Sequence, residues 1–294
     1  VSWEALRTPE ERFADLPAFD YQAHYTEVEG VRLHYLDEGD GPPVVLFHGE
    51  PTWCFLYRKL IGPLARAGYR VVAPDYPGFG KSDKPTSPDF YTYDRMVAFM
   101  AALVEELDLR EATAVVQDWG GPIGLRIAVE QPERFSRLVI LNTGLFSGQR
   151  PPSEAFMRWR GFVEKNPDLP VGFIMARSAV TDWPESVMAG YEAPFPDETY
   201  KMGAHRLPLI VPLDADSPGA AEMTAVRDAL SSWEGPAAVI FSTEDSVFPP
   251  AVGERFAGRI PGADELILIE GAGHFLQEDK GEELAGHIVA FLDR

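Results

Sequence analysis

The chain has 294 residues, of which 45% are hydrophobic and 24% charged, with a formal net charge of −20 and a single cysteine. This is the composition of a globular protein with one core and room for an insertion, and one cysteine excludes a disulfide framework or a cysteine-rich metal site. The acidity makes nucleic acid and anionic membrane surfaces poor partners, and no run approaches the ~20 apolar residues of a membrane span.

In chain order, the opening VSWEALRTPEERF lacks the basic-then-apolar pattern of a secretion signal, so a cytoplasmic location is expected. Short β-branched or apolar runs predict strands at His24–Val28, Val31–Leu36, Val44–Phe47, Arg70–Ala73, Ala112–Val116, Leu138–Leu141, Ala237–Phe241 and Glu265–Ile269. Helical periodicity predicts helices at Phe55–Ala67, Tyr93–Leu107, Gly121–Glu130, Val252–Arg259 and Glu282–Leu292. The first two strands are close enough for a hairpin. The later alternation predicts right-handed βαβ crossovers and a mostly parallel sheet with helices on both faces, an α/β fold.

The rhythm breaks between Ser147 and Leu213, where proline-punctuated helical pieces replace strands. An excursion there predicts a helical cap over the C-terminal edge of the sheet, the edge where open α/β sheets bind ligands. The expected division is core over 1–146, cap over 147–213 and core again over 214–294. Phe156, Trp159, Phe162 and Phe173 read first as the cap's own core, with one or two left to roof a cavity. Phe156, Phe162, Phe173 and, from the later core, Phe248 are the candidates for a substrate pocket.

Chemistry gathers at strand ends. VVQDWGGPIG, Val115–Gly124, has the form of a nucleophile elbow with Asp118 where hydrolases commonly carry serine. Asp245 follows the strand Ala237–Phe241 and His274 follows Glu265–Ile269. Any one of these in a loop would read as a solvated side chain. Together, in the order Asp, Asp, His, they fit a nucleophile, an orienting acid and a base. A serine attacking a saturated carbon would leave an ether that activated water cannot cleave. An attacking carboxylate leaves an ester, whose carbonyl water can hydrolyse. Aspartate at the apex therefore points to alkyl halides or epoxides as electrophiles.

LFHGEPTW, Leu46–Trp53, is similar to the oxyanion loop of α/β-hydrolases, which makes the backbone N–H groups of Glu50 and Trp119 the expected oxyanion donors. GFGKS, Gly78–Ser82, invites a phosphate-loop reading, but the first glycine of that motif would fall at Asp75. PDYPGFGKSDKP reads instead as a tight surface turn.

HGEPTWCFLYRK, APDYPGFGKSDKP, VVQDWGGPIGL, YEAPFPD and GAGHFLQED resemble the haloalkane dehalogenases of the α/β-hydrolase fold, from about residue 20 through most of the chain. The resemblance implies an eight-stranded sheet with an inserted helical cap. It also implies hydrolysis of a small apolar haloalkane through an aspartyl ester on Asp118, with Asp245 and His274 completing the triad. Neither metal nor organic cofactor is implied, and halide is the anionic product. The protein is expected to be a monomer or weak homo-oligomer. Trp119 would be one halide donor; because Glu50 stands where one subfamily has asparagine, the second would be a cap tryptophan, Trp159 or, failing that, Trp183. Pro122 departs from the pattern, standing where a bulkier pocket residue is expected. Two rivals share the motif set: an epoxide hydrolase, with Tyr191 or Tyr200 donating to the epoxide oxygen, and a non-catalytic ligand receptor.

Overall fold

The computed structural model describes residues 3–294; Val1 and Ser2 of the N-terminal stretch lie outside it. Eight strands form one sheet: β1 (His24–Val28), β2 (Val31–Glu38), β3 (Pro43–Phe47), β4 (Arg70–Pro74), β5 (Ala112–Gln117), β6 (Phe135–Leu141), β7 (Ala237–Ser242) and β8 (Ile267–Ile269). Across the sheet the order is β8-β7-β6-β5-β3-β4-β2-β1. β2 pairs antiparallel with both β1 and β4, and every other pairing is parallel. β5 and β7 are buried at every position, as their uninterrupted apolar sequences require of strands covered on both faces. The chain leaves β3 toward β4 and returns on its other side as β5. The C-terminal ends of β3 and β5 thus flank a topological switch point, where such sheets open a crevice.

Helices α1 (Arg58–Arg66), α2 (Tyr93–Glu106) and α3 (Gly120–Glu130) lie between the early strands. α2 starts where Thr92 Oγ1 accepts the Arg95 N–H at 3.2 Å, an N-cap bond. After β6 the chain makes its helical excursion: α4 (Glu154–Lys165), α5 (Val171–Arg177), α6 (Glu185–Glu192) and α7 (Met202–Leu209). α8 (Ala220–Leu230), α9 (Pro250–Ala257), α10 (Leu276–Asp279) and α11 (Gly281–Leu292) complete the layers. The periodicity reading does not include α8, whose buried stripe of Ala220, Met223, Val226 and Leu230 contains too small a first residue to stand out. The helix expected from Phe55 begins instead as a 3₁₀ turn, Cys54–Tyr57.

One end of the excursion is fastened to the core. Trp53 Nε1 donates to Gly190 O at 3.1 Å, and Tyr191 Oη donates to the buried Glu278 carboxylate that Arg58 also grips. Asp279 accepts the backbone N–H groups of Val180 (3.1 Å), Thr181 (2.9 Å) and Gly273 (2.9 Å).

The PDYPGFGKSDKP segment corrects the sequence reading. It is not a surface turn: Asp75, Tyr76, Phe79, Ser82 and Lys84 are buried. Asp75 accepts from His34 Nδ1 (2.7 Å), Cys54 N (2.7 Å) and Lys81 N (2.9 Å). Burial alone would raise its pKa, but the His34 interaction and these donors outweigh that and draw it down to about 2. Lys84 Nζ donates to the carbonyls of Gly80 and Ser82, and Ala5–Leu6 pairs antiparallel with Lys84–Pro85. The polar residues suggest exposure; their mutual satisfaction is what permits burial.

Candidate active site

Asp118 stands at the tip of β5 with φ +51°, left-handed backbone that aspartate tolerates better than most residues. The turn is held from β6: Asp118 N donates to Asn142 O at 3.0 Å, and Thr143 Oγ1 donates to Asp118 O at 2.6 Å. Gly120 is required where α3 begins, because a Cβ there would come within 2.1 Å of Phe47 O. Gly49 is required for a second reason. A Cβ on it would lie 2.4 Å from Asp118 Cβ, so only glycine lets the loop after β3 close over the carboxylate. That loop delivers the Glu50 N–H to Asp118 Oδ1 at 2.7 Å. Beneath it, His48 Nδ1 meets Gly49 O at 2.8 Å while Nε2 accepts from Tyr76 N at 3.2 Å. Burial lowers the His48 pKa, which suits this neutral, one-donor role.

His274 lies between the two acids. Its Nδ1 is 2.8 Å from Asp245 Oδ2, and its Nε2 is 3.6 Å from Asp118 Oδ2. The other oxygen of Asp245 accepts the N–H groups of Val247 (2.7 Å) and Phe248 (3.1 Å), which fixes the carboxylate's orientation. The histidine loop is tied to three strand ends: Asn142 Nδ2 donates to the carbonyls of Gly273 and His274, Gln117 Nε2 to that of His274, and Ser242 Oγ to that of Gly273. Burial disfavours the charged ring, but Asp245 and Asp118 overcome it and hold the His274 pKa up at about 10.

The cavity over Asp118 measures about 270 Å³. Trp119 and Trp159 line it beside Asp118 and His274, with Phe156, Ile174, Pro208 and Val247 as apolar walls. Glu50 is buried at its edge, and one of its carboxyl oxygens has no hydrogen-bond partner. Burial and the neighbouring Asp118 charge raise the Glu50 pKa well above the ordinary carboxylate range, opposed by the Trp159 side chain. A neutral Glu50 adds no second negative charge beside Asp118.

The residues expected around the pocket divide. Phe156 and Trp159 face the cavity, but Phe162 is 41% exposed and stacks on Trp159, and Phe173 is 61% exposed. Each three-residue step along a helix falls about 60° short of a full turn. Two steps from Phe156 therefore carry Phe162 off the inner face, and Val163 takes the buried position. On α5, Gly172 packs against the Met188 backbone and Ile174 reaches the cavity, which leaves Phe173 outward. Phe248 is buried against His274, 5.8 Å between ring centroids, behind the cavity wall. Pro122 does not reach the cavity; it lies in the first turn of α3, with its carbonyl accepting from Tyr93 Oη at 2.8 Å. Trp183 stacks on Tyr191 instead. Sequence reasoning misses Asn142, Gln117 and Ser242. Their signal is a polar residue ending an apolar strand at the edge that carries the triad.

Comparison with known proteins agrees with this architecture. The family model of the alpha/beta hydrolase fold matches residues 42–281. A haloalkane dehalogenase of Psychrobacter cryohalolentis is 45% identical over 98% of this chain and 97% of its own. The tetrameric structure of haloalkane dehalogenase DpaA from Paraglaciecola agarilytica superposes with a TM-score of 0.91 at 39% identity, covering 97% of each chain. A more distant relative, 32% identical over 92% of this chain and 88% of its own, is a cis-3-alkyl-4-alkyloxetan-2-one decarboxylase of Shewanella oneidensis. With near-full-length identity of 45% to one and a shared fold throughout, the chain belongs to the haloalkane dehalogenases of the α/β-hydrolase family.

Proposed function

We propose that the site hydrolyses small haloalkanes to alcohol, halide and a proton, with Asp118 as nucleophile. Asp118 Oδ1 is held by the Glu50 N–H, and the other oxygen attacks the halogen-bearing carbon in line. The C–O bond forms as the carbon–halogen bond breaks, and the halide leaves with the bonding pair. Trp119 and Trp159 offer donor-only indole N–H groups to it. The ester removes the Asp118 charge that helped to keep His274 protonated. Its pKa falls, the ring becomes a free base, and Nε2 takes a proton from water attacking the Asp118 carbonyl carbon. Asp245 steadies the imidazolium, and the Glu50 and Trp119 amides face the oxyanion. Collapse of that oxyanion expels the alcohol and restores the carboxylate. The helices over 147–213 act as the cap that keeps this cavity dry.

The observation that carries the reading is a carboxylate at the elbow, with histidine on one side and two indoles on the other, in a cavity of about 270 Å³. An epoxide hydrolase is less well supported. Tyr191 is committed to Glu278, and neither it nor Tyr200 lines the cavity. The test uses His274→Phe, which leaves the first half-reaction possible and removes the base for the second. Exposure to a bromoalkane should release one equivalent of bromide and add one alkyl mass to intact protein, located on Asp118. Folded protein that releases none and gains no mass would sink the proposal. Carbon dioxide release from a dialkyl oxetanone, with no halide release from haloalkanes, would favour the decarboxylase reading.

A further inference from the structure

A second cavity, of about 590 Å³, lies behind the wall of the catalytic one and is about twice its size. Val247 lines both, and Phe248, whose ring packs on His274, lines the second. Its floor is apolar: Phe146 packs on Phe248 with 5.9 Å between ring centroids, and Val252 and Phe256 extend the surface along α9.

The rim is the unusual part. Acidic residues outnumber basic ones by 46 to 26 in this chain, so an arginine has an excess of carboxylates to choose from. Four arginines nevertheless line this one cavity: Arg150, Arg227, Arg255 and Arg259. Arg227 pairs with Asp228 at 2.9 Å. Among the described residues no ion pair engages the other three, and Arg259 reaches only Ser231 Oγ, at 3.3 Å. Burial of its stem and the nearby Arg150 charge both lower the Arg255 pKa, with Glu254 opposing. Like charges gathered beside apolar surface, three of them without a salt-bridge partner, make a site that an anion stabilises. Planar guanidinium groups suit a carboxylate, which they can grip through paired N–H donors.

We propose that this cavity binds a carboxylate carried on an apolar chain, the headgroup among Arg150, Arg255 and Arg259 and the chain over Phe146, Phe248 and Phe256. The volume accommodates such a ligand, and pockets of this size commonly hold small molecules. A halide or acetate ion would use the rim and leave the floor bare. An alcohol would use the floor and leave the arginines unpaired. Only an amphipathic anion engages both. The site is separate from the catalytic one and does not depend on the dehalogenation mechanism.

The test is calorimetric titration of the purified protein at low ionic strength with sodium octanoate, alongside acetate and 1-octanol. The expected result is saturable one-to-one binding of octanoate, at least tenfold tighter than either control. Arg150→Glu with Arg255→Glu should weaken it at least tenfold, and Val252→Trp, which fills the floor without altering charge, should weaken it as well. Both variants should keep wild-type halide release, because none of these residues touches the triad. Acetate binding as tightly as octanoate, octanoate binding that ignores both variants, or no binding at all would overturn the proposal. So would purely competitive inhibition of halide release that persists in both variants, since that places octanoate on Asp118's side of the wall.

Discussion

The sheet edge and the helical excursion face each other across one cavity, and they hold their side chains in different ways. At the edge, Asp118, Asp245 and His274 are fixed by backbone N–H groups, carbonyls and the buried amides of Asn142 and Gln117. In the excursion, Trp159 is placed chiefly by packing and by the pitch of α4, and Phe162 and Phe173 point outward. Directional bonds fix atoms to within fractions of an ångström, whereas packing fixes a face and tolerates exchange. The groups proposed to make and break bonds are on the first kind of support, and those that shape the space are on the second.

The comparison can be broken by pH, which acts on the edge alone. In resting protein both acids hold the His274 pKa up at about 10; in the ester only Asp245 remains charged beside it, so the value falls. Below that lowered value, hydrolysis of the trapped ester should rise about tenfold per pH unit, giving a range on the order of 100-fold. It should level off well below the pH at which resting His274 titrates. Decay of the alkyl-enzyme followed by rapid quench would measure this, and a rate still climbing at the resting titration point would contradict it.

Asn142→Ala comes next. It leaves the 242 and 273–274 loops with unmatched buried groups, and should cost about 1–3 kcal/mol in denaturant unfolding and lower turnover with it. Unchanged stability would mean that the edge is not held as described. Trp159→Phe should leave stability nearly intact while weakening halide binding about tenfold, equivalent to about 1.4 kcal/mol. Halide titration of its fluorescence against that of Trp183→Phe decides which indole matters. Phe173→Ser should change stability by no more than about 0.5 kcal/mol and leave halide release as it is.

This division also explains what the sequence made legible. Strand ends are visible because apolar runs stop abruptly, so Asp118, Asp245 and His274 stand out at the right edge, and each of the eight strands begins or ends where its run does. The arginine-rimmed cavity and the neutral Glu50 are invisible by contrast. They arise where residues distant in the chain meet, and no local pattern announces that meeting. Phe162 and Phe173 escape the sequence pattern for a related reason: aromatic residues on a short amphipathic helix satisfy several rotations equally well until its neighbours are known. The buried Asp75 segment shows the same failure from the other side, since polarity suggests water and only its partners reveal a core.

The fastening of the excursion is one-sided. Ser178, Val180, Thr181, Gly190 and Tyr191 are bonded to the core around His274, while α4 is bonded mainly within itself and to α7, with Trp159 reaching across to Glu50. A roof fastened in this way would open with its hinge on the α5–α6 side and its free edge along α4. Substrate and alcohol would pass beneath that free edge. Turnover would then be tuned at a distance, by residues such as Arg160, whose Nη1 donates to Pro208 O at 2.6 Å and ties the free edge to α7. Such residues meet no reacting atom, yet they would set how long a product stays.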